Sequence, residues 1–298
     1  MTTKNLQKKQ RVSASLSNTE ATHAPYICTL TPTVEPEVLE FLAKRPIHTF
    51  GLNGLIQQYG LVADAKCGTY FGCRDESGAL EGVALIGHFT LFETLSDRAL
   101  KAFANIAQHN EEIHLMLGEQ EKINKFLSFF NQQDNCQAQV LRYLQLEINN
   151  IDRNEFSDTV LRPATPADLP HVVAAHAQVL YEDRGVDRLK IEPETFQQNC
   201  LDRINQQKTW VLEKSGKVLF KAELTTDSPE VVYLEGVWVD EKERGMGHGY
   251  RCLSQFLKSL LTRTASVCLL LGEKNKAALG LYEKVGFQHR GYYQAVFP

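Results

Sequence analysis

The chain has 298 residues, enough for two domains of ordinary size, and its apolar and charged fractions are those of a soluble protein with a core. Its 32 basic against 36 acidic residues leave a formal charge of −4, which argues against a general nucleic-acid binder. The seven cysteines (Cys28, Cys67, Cys73, Cys136, Cys200, Cys252, Cys268) are scattered and lack zinc-ligand spacing. Reduced thiols, no metal and a cytoplasmic location are therefore expected. No apolar run reaches the ~18 residues of a membrane span, so no membrane partner is expected.

Met1 to Ala24 is polar, with Lys4, Lys8, Lys9 and Arg11 and no acid before Glu20. It lacks the apolar core of a signal peptide and the Arg-rich amphipathic pattern of a transit peptide, so a disordered tail over 1–24 is expected. Val34 to Ala43 reads as a short helix, and Ile47 to Leu61 has helical apolar spacing broken by Gly51 and Gly54. Thr69 to Cys73 and Leu80 to Phe92 read as strands of a hairpin turning at Asp75-Glu76-Ser77-Gly78. A helix from Leu95 to Ala107 has Ser96 and Asp97 as candidate caps. Then come a buried strand at Ile113 to Leu117, a helix at Gln120 to Phe130 and a closing strand at Val140 to Ile148. Polar Asn149 to Asp158 marks a linker, which divides the chain into domains at 25–150 and 159–298 joined by 151–158.

In the second domain Val160 to Arg162 reads as a strand, and Pro166-Ala167-Asp168-Leu169 opens a helix to about Tyr181. A helix at Pro193 to Asn205 follows, then strands at Thr209 to Leu212, Val218 to Leu224 and Val231 to Val239. The last of these leads into Arg244-Gly245-Met246-Gly247-His248-Gly249 and a helix to about Arg263. A strand at 266–271, a helix at 275–285 and a strand at 289–297 complete the chain.

The glycine-rich turn between strand and helix is an anion site. Its glycines let the main chain approach closely and take positive φ, and the first-turn amides and helix dipole point at the same spot. Arg244 adds a full charge. The turn lacks the Gly-Lys-Ser/Thr of a Walker loop. Its Gly-x-Gly-x-Gly spacing also departs from the dinucleotide fingerprint, and Glu273 is the only acid near the expected position.

About thirty residues on stands Asn275-x-x-Ala278-x-x-Leu281-Tyr282-Glu283-Lys284-Val285-Gly286-Phe287. Together with Arg244-x-x-Gly247-x-Gly249, this resembles the two signatures of the GNAT N-acetyltransferase superfamily over roughly residues 159–298. The resemblance implies an α/β fold with a mixed, mostly antiparallel sheet and flanking helices. It implies acetyl-CoA as acyl donor, an amine on a small molecule or peptide as acceptor, and no metal.

Leu115 to Lys122 also matches Leu269 to Lys276 at five of eight positions, at the same strand-to-helix junction. With the similar order of elements, this points to a duplicated fold whose first copy lacks the arginine-glycine loop and is read as non-catalytic.

The resemblance assigns Arg244, Gly245, Met246, Gly247, His248 and Gly249 to the donor's pyrophosphate. It assigns the strand residues Val237, Trp238 and Val239, with Asn275, to the pantetheine arm, and Tyr282 to the sulfur, where a phenol can protonate the departing thiolate. Tyr282 as a packed core aromatic is the alternative. For the base, Glu235 is expected to share a face with Val237 and Val239, Glu223 stands on the preceding strand, and a site with no side-chain base stays open. Trp238 faces the other way, where packing suits it, and His248 reads as a loop residue.

The acceptor is open at this stage. Glu182, Asp183 and Asp187 suit a cationic amine, and Arg184 and Arg188 a carboxylate. Two functions beside acetyl transfer remain: a non-catalytic acyl-CoA-binding sensor, and a transferase of a larger acyl group.

Overall fold

The computed structural model describes residues 26–62, 68–130, 138–151, 161–184 and 192–298. The expected tail, most of the expected linker, Cys67, Cys136, Asp187, Arg188 and the side chain of Arg184 lie outside the described residues.

The first half begins with β1 (Tyr26–Thr29), α1 (Glu35–Ala43) and α2 (Pro46–Tyr59). Each helix carries proline in its first turn, where no intrahelical amide is needed. The break expected at Gly51 and Gly54 does not occur, because both glycines serve packing. A Cβ on Gly54 would stand 2.5 Å from Thr226 Oγ1, and one on Gly51 would stand 3.2 Å from Leu91.

Next come β2 (Thr69–Arg74), β3 (Leu80–Ile86) and β4 (Phe89–Thr94). The single strand expected over Leu80 to Phe92 turns back at Gly87 and His88, so that Leu85 faces Leu91. The half continues with α3 (Asp97–Ala107), β5 (Leu115–Glu119), α4 (Gln120–Phe129) and β6 (Gln139–Ile148). Ser96 caps α3, its hydroxyl accepting from the Ala99 amide at 3.1 Å.

The second half repeats this order as β7 (Arg162–Pro163), α5 (Leu169–Arg184), α6 (Pro193–Asn205), β8 (Thr209–Lys214), β9 (Lys217–Asp227) and β10 (Val232–Val239). It closes with α7 (His248–Leu260), β11 (Val267–Gly272), α8 (Lys276–Val285) and β12 (Gln288–Phe297). Among the described residues no helix is long and apolar enough to cross a membrane.

The described strands form one sheet in the order β1-β2-β3-β4-β5-β12-β6-β11-β10-β9-β8-β7. Each half thus gives its last strand to the other. β6, expected to close the first domain, runs antiparallel to β11 from Ile148 opposite Val267 to Tyr143 opposite Gly272. β12 runs antiparallel to β5, with Tyr293 opposite Glu119, and pairs with β6 on its other edge.

Phe50, Val231, Cys268 and Tyr293 make a buried cluster across the junction, and Phe50 stacks on Tyr233 at a 4.0 Å centroid separation. Such aromatic pairs contribute roughly 0.5–1.5 kcal/mol beyond area burial. Thr226 Oγ1 also donates to the Phe50 carbonyl at 2.8 Å, which ties α2 of the first half to β9 of the second.

Candidate functional site

β10 and β11 are parallel but pair only at Val232 with Val267 and Tyr233 with Cys268. From Leu234 onward the β11-facing edge of β10 has no strand partner, so its polar groups seek another. A cavity of about 410 Å³ follows this opening, bordered by Val237, Val239, Arg244, Gly247, Asn275 and Tyr282. Not every group in it is free, because the Val239 carbonyl accepts from Arg244 Nε at 3.1 Å.

A bulge alters the expected faces of β10. Glu235 stands opposite Glu223, but Trp238 stands opposite Lys221, so Gly236 and Val237 together span the place of Ala222 alone, one residue extra on β10. Gly236 has φ 58°, and a Cβ there would stand 2.9 Å from Lys221 Nζ, which donates to the Gly236 carbonyl at 3.3 Å. Alternation is reversed across the bulge. Val237 and Val239 pack with Leu234 on the α7 side, whereas Glu235 turns with Trp238 toward α5 and α6. Glu235 therefore does not share the face of Val237 and Val239. Trp238 packs beside Val172 and Val211, and its indole donates to Gln178 at 2.8 Å.

In the loop, Gly245 and Gly247 are left-handed, with φ 77° and 78°. Gly247 is the N-cap of α7 and supplies no side chain to its first-turn amides, which leaves them for an anion. Gly249 brings α7 close to the sheet: a Cβ there would stand 3.1 Å from Val239 Cγ2 and 3.4 Å from Leu281 Cδ2. Met246 is exposed at the loop tip. His248 is engaged on both nitrogens, Nε2 standing 3.1 Å from the Glu243 carboxylate and Nδ1 3.3 Å from Arg251 Nη2.

Asn275 caps α8, its Oδ1 accepting from the Ala278 amide at 3.1 Å, and its Nδ2 donates to Asp183 at 3.2 Å. Tyr282 is buried, with its ring edge-on to Phe287. Burial, and then the nearby Asp183 charge, push its phenol pKa above the ordinary value, so it carries its proton at neutral pH. It also borders a second cavity of about 300 Å³, which shares Glu182, Val237, Asn275 and Ala278 with the first.

The two carboxylates weighed as bases share one partner. Arg203 Nη1 of α6 bonds Glu223 and also Glu235, the latter at 2.6 Å. Glu223 is fully buried, with Lys221 Nζ 2.7 Å from its Oε1 and His176 Nδ1 at 3.6 Å. Burial alone would raise the pKa of each carboxyl group. For Glu223 the charges of Lys221, His176 and Arg203 outweigh it and hold the group well below the ordinary range. Arg203 outweighs burial for Glu235 and lowers its pKa from the ordinary value. Glu235 lines the second cavity, while Glu223 is buried and does not line it.

His176 is a titratable lining residue that sequence reasoning passed over. Its only signal was a lone polar residue in the apolar series Val172, His176, Leu180 at helical spacing. Phe50, Leu115, Leu117 and Tyr143 of the first half form the far wall of this cavity.

The first half has the same divergence, β4 and β5 pairing only at Phe89 with Leu115 and Thr90 with Met116. There the gap is filled. Arg45 bonds Glu93 at 2.8 Å and Glu119 at 2.8 Å, Lys122 bonds Glu93 at 2.7 Å, and a space of only about 20 Å³ remains.

Residues 176–287 match the acetyltransferase (GNAT) family model. The second half therefore carries a GNAT domain, of a family of acyltransferases. A comparison with curated proteins finds no match. Among solved structures, a Drosophila protein is similar with 10% identity and a TM-score of 0.65, over 91% of this chain and 98% of its own. A GCN5-related N-acetyltransferase from Sphaerobacter thermophilus is similar with 14% identity and a TM-score of 0.57, over 92% and 95%. A tandem GNAT protein from the clavulanic acid biosynthesis pathway is similar with 9% identity and a TM-score of 0.56, over 92% and 98%. At these identities the likeness is one of fold, and it extends through both halves.

Proposed function

We propose that the protein is an N-acetyltransferase that moves the acetyl group of acetyl-CoA to a primary amine by direct attack. The observation that carries this reading is the position of Tyr282, which borders both the cavity beneath the glycine loop and the cavity reached from the junction of the halves. A donor lying along β10 with its diphosphate on the Arg244–Gly249 loop brings its thioester to that shared border. Holding amine and thioester together there can lower the barrier by ~7–11 kcal/mol in well-oriented systems.

The acceptor ammonium gives a proton to Glu235, directly or through water, and the freed nitrogen attacks the carbonyl carbon. A C–N bond forms, the C–S bond breaks, and the Tyr282 phenol gives its proton to the thiolate. The second proton of the attacking nitrogen passes through water to the Tyr282 phenolate, and Glu235 releases its proton to water, which restores both residues. The first half, its own gap filled by ion pairs, serves as a wall of the acceptor cavity.

A second reading, an acyl-CoA-binding protein without turnover, draws on the Arg203 pairs, which engage both candidate bases. Calorimetric titration with acetyl-CoA, with desulfo-CoA and a dinucleotide as controls, followed by free-thiol release over a panel of amines, separates the two. Binding with thiol release supports transfer, binding alone supports the sensor, and no binding removes both.

A further inference from the structure

The division of charge and apolar surface over the 300 Å³ cavity points to the class of acceptor. Its carboxylates, among the described residues, are Glu235 on β10, and Glu182 and Asp183 at the end of α5, and its one basic side chain, His176, already faces Glu223 and Lys221. No described lysine or arginine lines it. Arg203, the cation beside Glu235, is already engaged by two carboxylates. The wall supplied by the first half is mainly apolar, built from Phe50, Leu115, Leu117 and Tyr143.

We infer that the acceptor is a primary amine on an apolar body with no carboxylate beside the nitrogen, an arylalkyl or alkyl amine. The inference rests on the proposed transfer reaction and deepens it. An ammonium entering the cavity meets Glu235 with opposite charge. An amino acid would bring its carboxylate against the acidic lining with no described lysine or arginine there to pair it, and such an unpaired charge is costly when desolvated. A polyamine whose second ammonium points toward the first half would press it onto Phe50, Leu115 and Leu117, whose side chains offer no hydrogen-bond acceptor. The body of an arylalkyl amine instead covers those side chains.

The test measures free-thiol release by the full chain with acetyl-CoA and phenethylamine, hexylamine, phenylalanine, glycine or putrescine, beside calorimetry with acetyl-CoA. The expected result is kcat/KM for phenethylamine or hexylamine at least tenfold above that for the other three. Phe50→Ala is expected to raise KM for phenethylamine at least fivefold, with acetyl-CoA affinity within twofold of the parent. Leu117→Ala, read the same way, stands in should Phe50→Ala lose its fold by circular dichroism. No heat with acetyl-CoA removes the transfer reading itself. Binding with faster turnover of phenylalanine, glycine or putrescine than of either apolar amine overturns the acceptor assignment alone, and binding with no turnover of any of the five overturns it together with the transfer reading.

Discussion

Arg244 Nη2 stands 3.0 Å from Glu182 Oε1, so the fixed cation of the glycine loop is paired with the end of α5 across the donor cavity. A diphosphate seated on the loop competes with Glu182 for that guanidinium. Because both side chains are well exposed, the pair is expected to contribute only ~0.2–1 kcal/mol. Glu182→Gln should therefore tighten acetyl-CoA binding about 1.4–5-fold, and the gain should shrink in high salt. Calorimetry at two ionic strengths checks this, and weaker binding would mean that Glu182 supports the loop instead of competing for it.

Gly247→Val should weaken acetyl-CoA binding at least tenfold. Gly247 is left-handed with φ 78°, and a Cβ there would stand 3.0 Å from Arg251 Nη1, so a branched side chain both strains the turn and crowds the anion site. Arg244→Ala should cost less, since the backbone amides remain. Unchanged affinity in the valine variant would remove the loop from the donor site.

Tyr282→Phe keeps the ring against Phe287 and removes only the hydroxyl. Turnover should fall by about two to four orders of magnitude, the range of general-acid contributions. Acetyl-CoA affinity should change less than threefold. Equal losses in kcat and affinity would assign Tyr282 to packing.

The Arg203 cluster makes stability depend on pH. Glu223 and Glu235 have pKa values depressed in the folded protein, so the unfolded chain binds more protons as pH falls below the ordinary glutamate value of 4.5. Their stabilisation is complete above that value and declines as pH falls toward the folded-state values. Arg203→Met should destabilise by less than the ~3–5 kcal/mol of a fully broken buried pair, because Lys221 remains 2.7 Å from Glu223. Urea unfolding at pH 7 and pH 4 checks both: the gap between parent and variant should narrow at the lower pH.

Gly54→Val probes the junction between the halves. The added Cβ falls 2.5 Å from Thr226 Oγ1, the group that donates to the Phe50 carbonyl, so α2 must shift or lose that bond. Overpacking of this kind costs ~1–3 kcal/mol. A denaturation midpoint equal to the parent's would show that the two halves yield there without strain.

The glycine loop, the Asn275 and Ser96 caps and most element positions were legible in the sequence, since each rests on a local rule. A left-handed φ calls for glycine, a capping side chain reaches an amide three residues on, and an apolar period marks a strand or helix face. The duplicated order was legible for the same reason, through the shared strand-to-helix junction at Leu115–Lys122 and Leu269–Lys276. The continuous helix over Pro46–Tyr59 was not, because Gly51 and Gly54 look like breakers until Leu91 and Thr226 are seen against them.

What only the tertiary structure decided is which strand closes which half, which way Glu235 points, and what surrounds it. β6 and β12 read as interchangeable last strands, and nothing local in either distinguishes its own neighbour from the other half's. The bulge at Gly236 reverses the alternation that a period of two predicts, and it is held by Lys221 from the neighbouring strand. Arg203, Glu223, Glu235 and His176 come from four different elements, so their pairing exists only once α5, α6, β9 and β10 have packed. Backbone preference and periodicity act within a few residues along the chain. Strand partners and buried ion pairs act across the chain, and their free energy appears only when distant surfaces meet.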